Sequence, residues 1–312
     1  MLASSGPPEL TWVKEVLRTA DAIRRRVMEH VLANDGGYLS QACSAGEILS
    51  TLYLRTMRMG PSVAPPVPPP FSGVPGRGVP ALSGGGYHGL PGAELDRFFL
   101  SPAHYALVLY TALIEVGRMA PEGLEQFNQD GSTVEMIGAE HSPGFGMMGG
   151  ALAQTLSQAA GIALARKRRG DGGRVFVFLS DGEFQEGQTW EALQAMAFYG
   201  LDRMIVYVDV NGHQCDGRMD EVMRIEPIQT RIESFGCRAV TVDGHDPVAL
   251  DAPTRDPLSG RPLVVLCRTD PCRGIPLLES RRPRFHYLRF ASVAERESFR
   301  RFYAASMGGG GR

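Results

Sequence analysis

The chain has 312 residues, 43% of them hydrophobic, and a formal net charge of −2. That length holds one large or two ordinary domains with apolar residues enough for a core, and the near-neutral charge offers no field that would attract nucleic acid. Five cysteines without paired metal-ligand spacing, no signal segment in MLASSGPPELTWVKE and no apolar run of membrane-spanning length lead to the expectation of a soluble cytoplasmic protein with no membrane partner.

Along the chain, Arg24 to Arg26 and Arg166 to Arg169 read as solvated helix faces. Pro61 to Gly92, which includes PPVPPP, has no periodic pattern and is longer than an ordinary connection. It reads either as a cover over a site or partner, or as a surface insertion. Ala151 to Arg166 reads as a helix rich in small residues, among them Ala153, Thr155, Ser157, Ala159, Ala160, Gly161 and Ala163, which would let another backbone come close. Arg174 to Leu179 and Met204 to Val208 are short apolar runs suited to strands buried on both faces. Between them, Glu186 to Tyr199 carries Trp190, Leu193 and Ala197 at helical spacing, with Gly200 placed to end the helix. Strand, helix and returning strand form a right-handed parallel crossover, and in such sheets ligands bind beyond the carboxyl ends of the strands. Asp181-Gly182 and Asn211 both fall there. The tail from Met307 to Arg312 reads as disordered, and no internal repeat is evident.

A carboxylate and a carboxamide oxygen are hard ligands, and Mg²⁺ takes about six oxygens, a few from protein and the rest from phosphate, carbonyl and water. Asp181, Asn211, a carbonyl near His213 and two diphosphate oxygens would nearly fill that shell, and Gly182 leaves room for phosphate beside the backbone. Each dipeptide alone, DG or NG, is equally an ordinary turn. The two together, with the flanking text EFQEGQTWEA and VDVNGHQCDG, resemble the thiamine-diphosphate fingerprint of the transketolase family, with Ser180 where a glycine usually precedes the aspartate. The resemblance extends over most of residues 12–290. It includes CSAGEILSTLY, DRFFLSPAHYALVLY ahead of and around His104, SPGFGMMGGALAQTLSQAAGIALARK, TVDGHD and PRFHY with His286.

The resemblance implies an α/β thiamine-diphosphate-binding fold, a mostly parallel sheet flanked by helices on both faces. Residues 1–60 would be its N-terminal helical part, 61–92 an insertion loop, 93–290 the cofactor-binding core and 291–312 a C-terminal helix and tail. It also implies that Asp181, Asn211 and the carbonyl of His213 bind the metal, Mg²⁺ or else Ca²⁺ or Mn²⁺. His104, Gly182 and His286 would contact the diphosphate, with Glu183 beside the cofactor. Gly150 and Leu152 would lie against its rings, and Glu186 would join a carboxylate network between active sites. His104, His286 and Glu186 would thus be the catalytic set. Each has an ordinary competitor: a satisfied histidine, core packing for Leu152, a helix-start acid for Glu186.

Two departures bear on substrate. Tyr38 in GGYLSQACS and Ile137 in TVEMIGAEHSPG stand where the family carries histidines that touch the sugar, with Glu140 and His141 nearby as substitutes. Arg281-Arg282 beside His286 could meet an anionic substrate. No pyrimidine-binding half is present in the chain. The expectation is therefore one subunit of a split, heterotetrameric transketolase, moving a two-carbon ketol unit from a ketose to an aldose with a pyrimidine-domain partner. The substrate would be a sugar phosphate or a modified sugar. The alternatives are a 2-keto acid decarboxylase and acyl-transfer subunit, a non-catalytic scaffold subunit that kept the fold, and, on the metal residues alone, a phosphohydrolase with Asp181 as nucleophile.

Overall fold

The structure is a computed structural model that describes residues 9–256 and 259–308; residues 309–312 of the expected tail lie outside the described residues. Its centre is a five-stranded parallel sheet built from β1 (Arg97–Leu100), β2 (Val175–Ser180), β3 (Met204–Val210), β4 (Arg238–Asp243) and β5 (Leu263–Arg268), in the spatial order β1-β2-β3-β5-β4. The strands alternate their side chains between two faces, as a period of two requires. Phe98, Phe176, Phe178, Tyr207 and Val265 point into one core with helices α1 (Glu9–Ala33), α2 (Leu39–Thr51) and α3 (Ala106–Glu115). Phe99, Val177, Val206, Val208 and Val264 point into the other with α4 (Gln154–Arg169), α5 (Gly187–Phe198) and α6 (Ile228–Ser234). Helices thus cover both faces, and β2 and β3 are buried along their whole lengths. Each such Val, Leu or Phe contributes roughly 1.5–3 kcal/mol on burial.

The crossover follows the sequence closely. Strand β2, helix α5 and strand β3 sit within two residues of their expected bounds, and Gly200 adopts φ +56°, where a glycine ends a helix without strain. Helix α4 departs from expectation. It begins at Gln154 rather than Ala151, because Ala153 takes a left-handed conformation, φ +66°, and its N–H donates to the Glu183 carboxylate instead of to the helix.

The two arginine clusters read as solvated faces need correction. Arg24 is buried and pairs with Glu47, and Arg166 is buried with Nη2 donating to the carbonyls of Gly92, Ala93 and Leu95. Each cluster therefore holds one arginine that fastens the fold. Of the small residues on α4, Thr155, Ala159, Ala160 and Ala163 are already buried within the chain, whereas Gly161 is exposed.

The 61–92 segment is pinned to its surroundings. Val63 N–H donates to the Gly86 carbonyl, Phe71 N–H to Gly131, Ala120 N–H to Pro66, and the Thr133 hydroxyl to Pro69. Gly84 donates to the Glu140 carbonyl and accepts from Gly144 N–H. A Cβ at Gly84 would lie 1.6 Å from the Ser142 carbonyl oxygen, a contact no small adjustment relieves. Gly84→Ala is therefore expected to cost about 2–3 kcal/mol in chemical denaturation, as forced overpacking does; an unchanged midpoint would contradict this packing.

Candidate active site

The floor of the site follows from strand register. Ser180, the last residue of β2, lies opposite Asp209 near the end of β3, so the turns after both strands leave the sheet side by side. This brings Asp181 and Asn211 together at the carboxyl edge. Oδ2 of Asp181 accepts the Gly212 N–H at 2.8 Å, while Oδ1 is buried with no hydrogen-bond partner. Asn211 Oδ1 accepts the His213 N–H at 3.0 Å, and the His213 ring closes back onto the Asn211 carbonyl through Nδ1 at 2.9 Å. Glu183 lies beneath the turn rather than in the open cavity. Its carboxylate accepts from Ser180 N–H at 3.0 Å, Ala153 N–H at 2.9 Å and the Ser101 hydroxyl, tying three segments together.

Above this floor is a cavity of about 390 Å³. One wall is aromatic. His104, from the turn after β1, and His286 lie with ring centroids 4.8 Å apart, and Tyr38 sits 5.8 Å from the first and 5.5 Å from the second. Gly36-Gly37 pairs antiparallel with Leu288-Arg289, which draws Tyr38 to His286 across a long stretch of chain. Gln41 and Ser40, at the start of α2, donate to the carbonyls of His286 and Phe285 and fix that segment. Gly150, Leu152 and Ile137 also line the cavity, as do Gly182 and Glu186. Ile137 and Leu152 are 46% and 38% exposed. Both positions that depart from the family pattern, Tyr38 and Ile137, face this space.

Glu140 and His141 do not line it. His141 lies 3.1 Å from Glu135 and packs on Phe71 of the 61–92 segment, with ring centroids 4.7 Å apart. No residue of that segment lines the cavity either. Arg281 and Arg282 are engaged with Glu295 and Glu279. Sequence reasoning missed the layer below the floor: Asp209, fully buried, accepts from the hydroxyls of Ser44 at 2.5 Å, Tyr105 at 2.6 Å and Thr269, and from Asn211 Nδ2 at 3.3 Å. The available signal was an acid at the end of an otherwise apolar buried strand, which is costly unless every lone pair is used.

Burial dominates the electrostatics. It pushes the Asp181 carboxyl up to about 8, with the Asp209 charge adding to the effect, and the Glu183 carboxyl up to about 7. Burial and the neighbouring His286 lower His104 to about 3, so its imidazole is neutral and can donate one N–H. The raised carboxyls fix a sign. Between about pH 4 and pH 8 the folded chain retains a proton on Asp181 that the unfolded chain releases, so the contribution of Asp181 to stability falls as pH rises through that window. The buried histidines His30, His88 and His104 act in the opposite direction below about pH 6.5, where the unfolded chain holds the extra protons. Above that range the raised acids decide the sign: the cation-free protein should show a thermal midpoint that declines from about pH 7 to pH 8, and divalent cation with diphosphate should offset the decline. A midpoint that rises between about pH 7 and pH 8 in the cation-free protein would contradict the burial of Asp181.

Residues 92–283 match the family described as "Transketolase, thiamine diphosphate binding domain". The uncharacterized transketolase family protein y4mO of Sinorhizobium fredii is 35% identical over 273 residues, covering 85% of this chain and 88% of that protein. The 6-deoxy-6-sulfo-D-fructose transketolase subunit SqwG of a Clostridium species is 27% identical, covering 84% and 87%. One of the apulose-4-phosphate transketolase subunits of Actinobacillus succinogenes is 28% identical, covering 88% and 90%. Against human transketolase-like protein 2, 29% identical, the chain spans only 41% of the relative's length. A Pichia stipitis transketolase structure superposes with a TM-score of 0.69 at 20% identity, covering 95% of this chain and 45% of that one, which speaks for the fold. The chain belongs to the transketolase family and carries its thiamine-diphosphate-binding domain.

Proposed function

We propose that this chain is the diphosphate-binding subunit of a two-subunit, transketolase-like enzyme that moves a two-carbon ketol unit from a ketose to an aldose. The observation that carries the reading is the buried, unpartnered Oδ1 of Asp181 at the floor of the cavity, beside Asn211. A buried carboxylate oxygen without a donor is strongly disfavoured unless it takes a proton or a cation meets it, and a cation displaces the proton. No lysine or arginine is among the residues lining the cavity. A diphosphate there would have only a metal ion, imidazoles and backbone N–H groups to balance its charge. Mg²⁺, Ca²⁺ or Mn²⁺ held by Asp181, Asn211 and the His213 carbonyl suits that need.

The cofactor, when bound, supplies the carbon–carbon bond chemistry. This chain's residues bind and orient. Neutral His104 and His286 donate to phosphate oxygens and hold protons near the reacting groups. Gly182 admits phosphate close to the backbone, Gly150 and Leu152 bear on the rings, and Glu183 braces the turn that presents Asp181. Glu186, exposed on the lip, is placed to meet a carboxylate of another active site. Tyr38 is the substrate-side residue that the geometry favours; a role for Glu140 and His141 would require them to act from outside the cavity.

The partner is a pyrimidine-domain subunit, in a heterotetramer. Two relatives of nearly the same length are themselves named as subunits, whereas the chain spans less than half of the longer relatives. The substrate is a sugar phosphate or modified sugar, as the names of those subunits suggest by analogy. Among the described residues no helix is long and apolar enough to cross a membrane, and a cytoplasmic site of action is part of the proposal. A 2-keto acid donor is the second reading, favoured by Tyr38 and Ile137 facing the cavity in place of histidines.

Titration of the complex with thiamine diphosphate and Mg²⁺, followed by donor profiling, tests the proposal. Asp181→Asn should weaken cofactor binding by at least about tenfold, the scale of loss for groups around a metal. Unchanged affinity would remove the metal-clamp reading, and full-rate ketol transfer by the isolated chain would remove the split-subunit reading.

A further inference from the structure

We infer that Asp209 is a positioning residue for the cation site: it fixes the orientation of the Asn211 carboxamide. The inference rests on the proposed cation site and deepens it.

The orientation argument comes from donor and acceptor chemistry. An asparagine side chain can be turned either way, and only its partners decide which end is oxygen. Here the carboxamide nitrogen lies 3.3 Å from Asp209 Oδ2, with the Tyr105 hydroxyl at 3.4 Å, while its oxygen accepts from His213 N–H. Oδ2 of Asp209 accepts from the Ser44 and Tyr105 hydroxyls as well, and an acceptor so placed holds the nitrogen end toward itself and turns the oxygen away. Asp209 is in turn held on both oxygens. Thr269, just past β5, donates to Oδ1; Ser44 of α2 and Tyr105 at the start of α3 donate to Oδ2. Three hydroxyls from three elements thus set one carboxylate, and that carboxylate sets Asn211.

Asp209 is too fully occupied by hydroxyls to serve as a ligand itself, so its contribution acts through Asn211.

Asp209→Leu removes the acceptor that meets the Asn211 carboxamide nitrogen, whereas Asp209→Asn can keep an oxygen there with its N–H turned to the Thr269 hydroxyl. The measurement is Mn²⁺ affinity, read by its electron paramagnetic resonance signal, in the assembled complex with thiamine diphosphate present. The thermal midpoint of the cation-free protein is followed in parallel. Asp209→Leu should weaken Mn²⁺ binding by at least about tenfold, and Asp209→Asn should recover most of that loss. Affinity of Asp209→Leu within about twofold of the unsubstituted protein, or equal losses in the two variants, would overturn the inference. Should Asp209→Leu fail to fold, Thr269→Val loosens one oxygen of Asp209 at nearly constant shape. It should lower Mn²⁺ affinity at least about threefold, and an unchanged affinity would overturn the inference equally. A native complex that binds no Mn²⁺ would instead refute the cation site itself.

Discussion

Two acids buried at the end of a parallel sheet, with no basic residue paired to them among the described residues, are the constraint around which this molecule is arranged. A carboxylate in such surroundings survives ionised only if donors or a cation replace the water it has lost. Asp209 is supplied with four donors, drawn from α2, the start of α3, the turn after β3 and the turn after β5. Asp181 is supplied with a backbone donor on one oxygen and none on the other. The asymmetry is informative. One acid is finished by the fold, and the other lines the cavity with one oxygen unpartnered.

The parallel sheet makes this possible. Its strands all end at one edge, and the Ser180–Asp209 register sets the two turns level, so a turn residue from each reaches the same point. Glu183 then stabilises the geometry from below. It bonds to the end of β2, to the segment after β1 and to Ala153, which it holds in a left-handed conformation ahead of α4. Strain of that kind persists only where neighbours over-determine it. Here the neighbour is the turn that also presents Asp181, so that turn and the loop ahead of α4 are coupled through one carboxylate.

Much of this was readable from the residues in order. The apolar runs of β2 and β3, the helical spacing of Trp190, Leu193 and Ala197, and the stop at Gly200 are local signals, and local signals are what periodicity records. The Asp181 and Asn211 turns were legible because spacing along a crossover unit converts directly into proximity. The partners of Asp209 were not, because Ser44, Tyr105 and Thr269 are ordinary hydroxyl residues whose convergence depends on the order of strands in the sheet. Arg24 and Arg166 misled for the same reason. A run of arginines looks solvated until the fold supplies Glu47 for one and a set of loop carbonyls for the other.

The aromatic wall of the cavity is held by parts of the fold other than those that hold the acidic floor. His104 and His286 line the cavity above the floor, and the His286 segment is fixed by α2 and by the Gly36-Gly37 pairing, from outside the Asp181 and Asn211 turns. Tyr38 follows that glycine pair directly, so its ring is delivered to the cavity by the same contact that seats His286. Ile137 arrives by another route, on the segment between Gly131 and Gly150 that the 61–92 insertion buttresses through Gly84 and Phe71. A change at either position can therefore alter the space offered to a substrate without moving Asp181 or Asn211. The insertion, which touches no part of the cavity, acts on that space only by bracing the wall that bears Ile137. The acidic floor and the positions of Tyr38 and Ile137 can vary independently because different parts of the fold hold them.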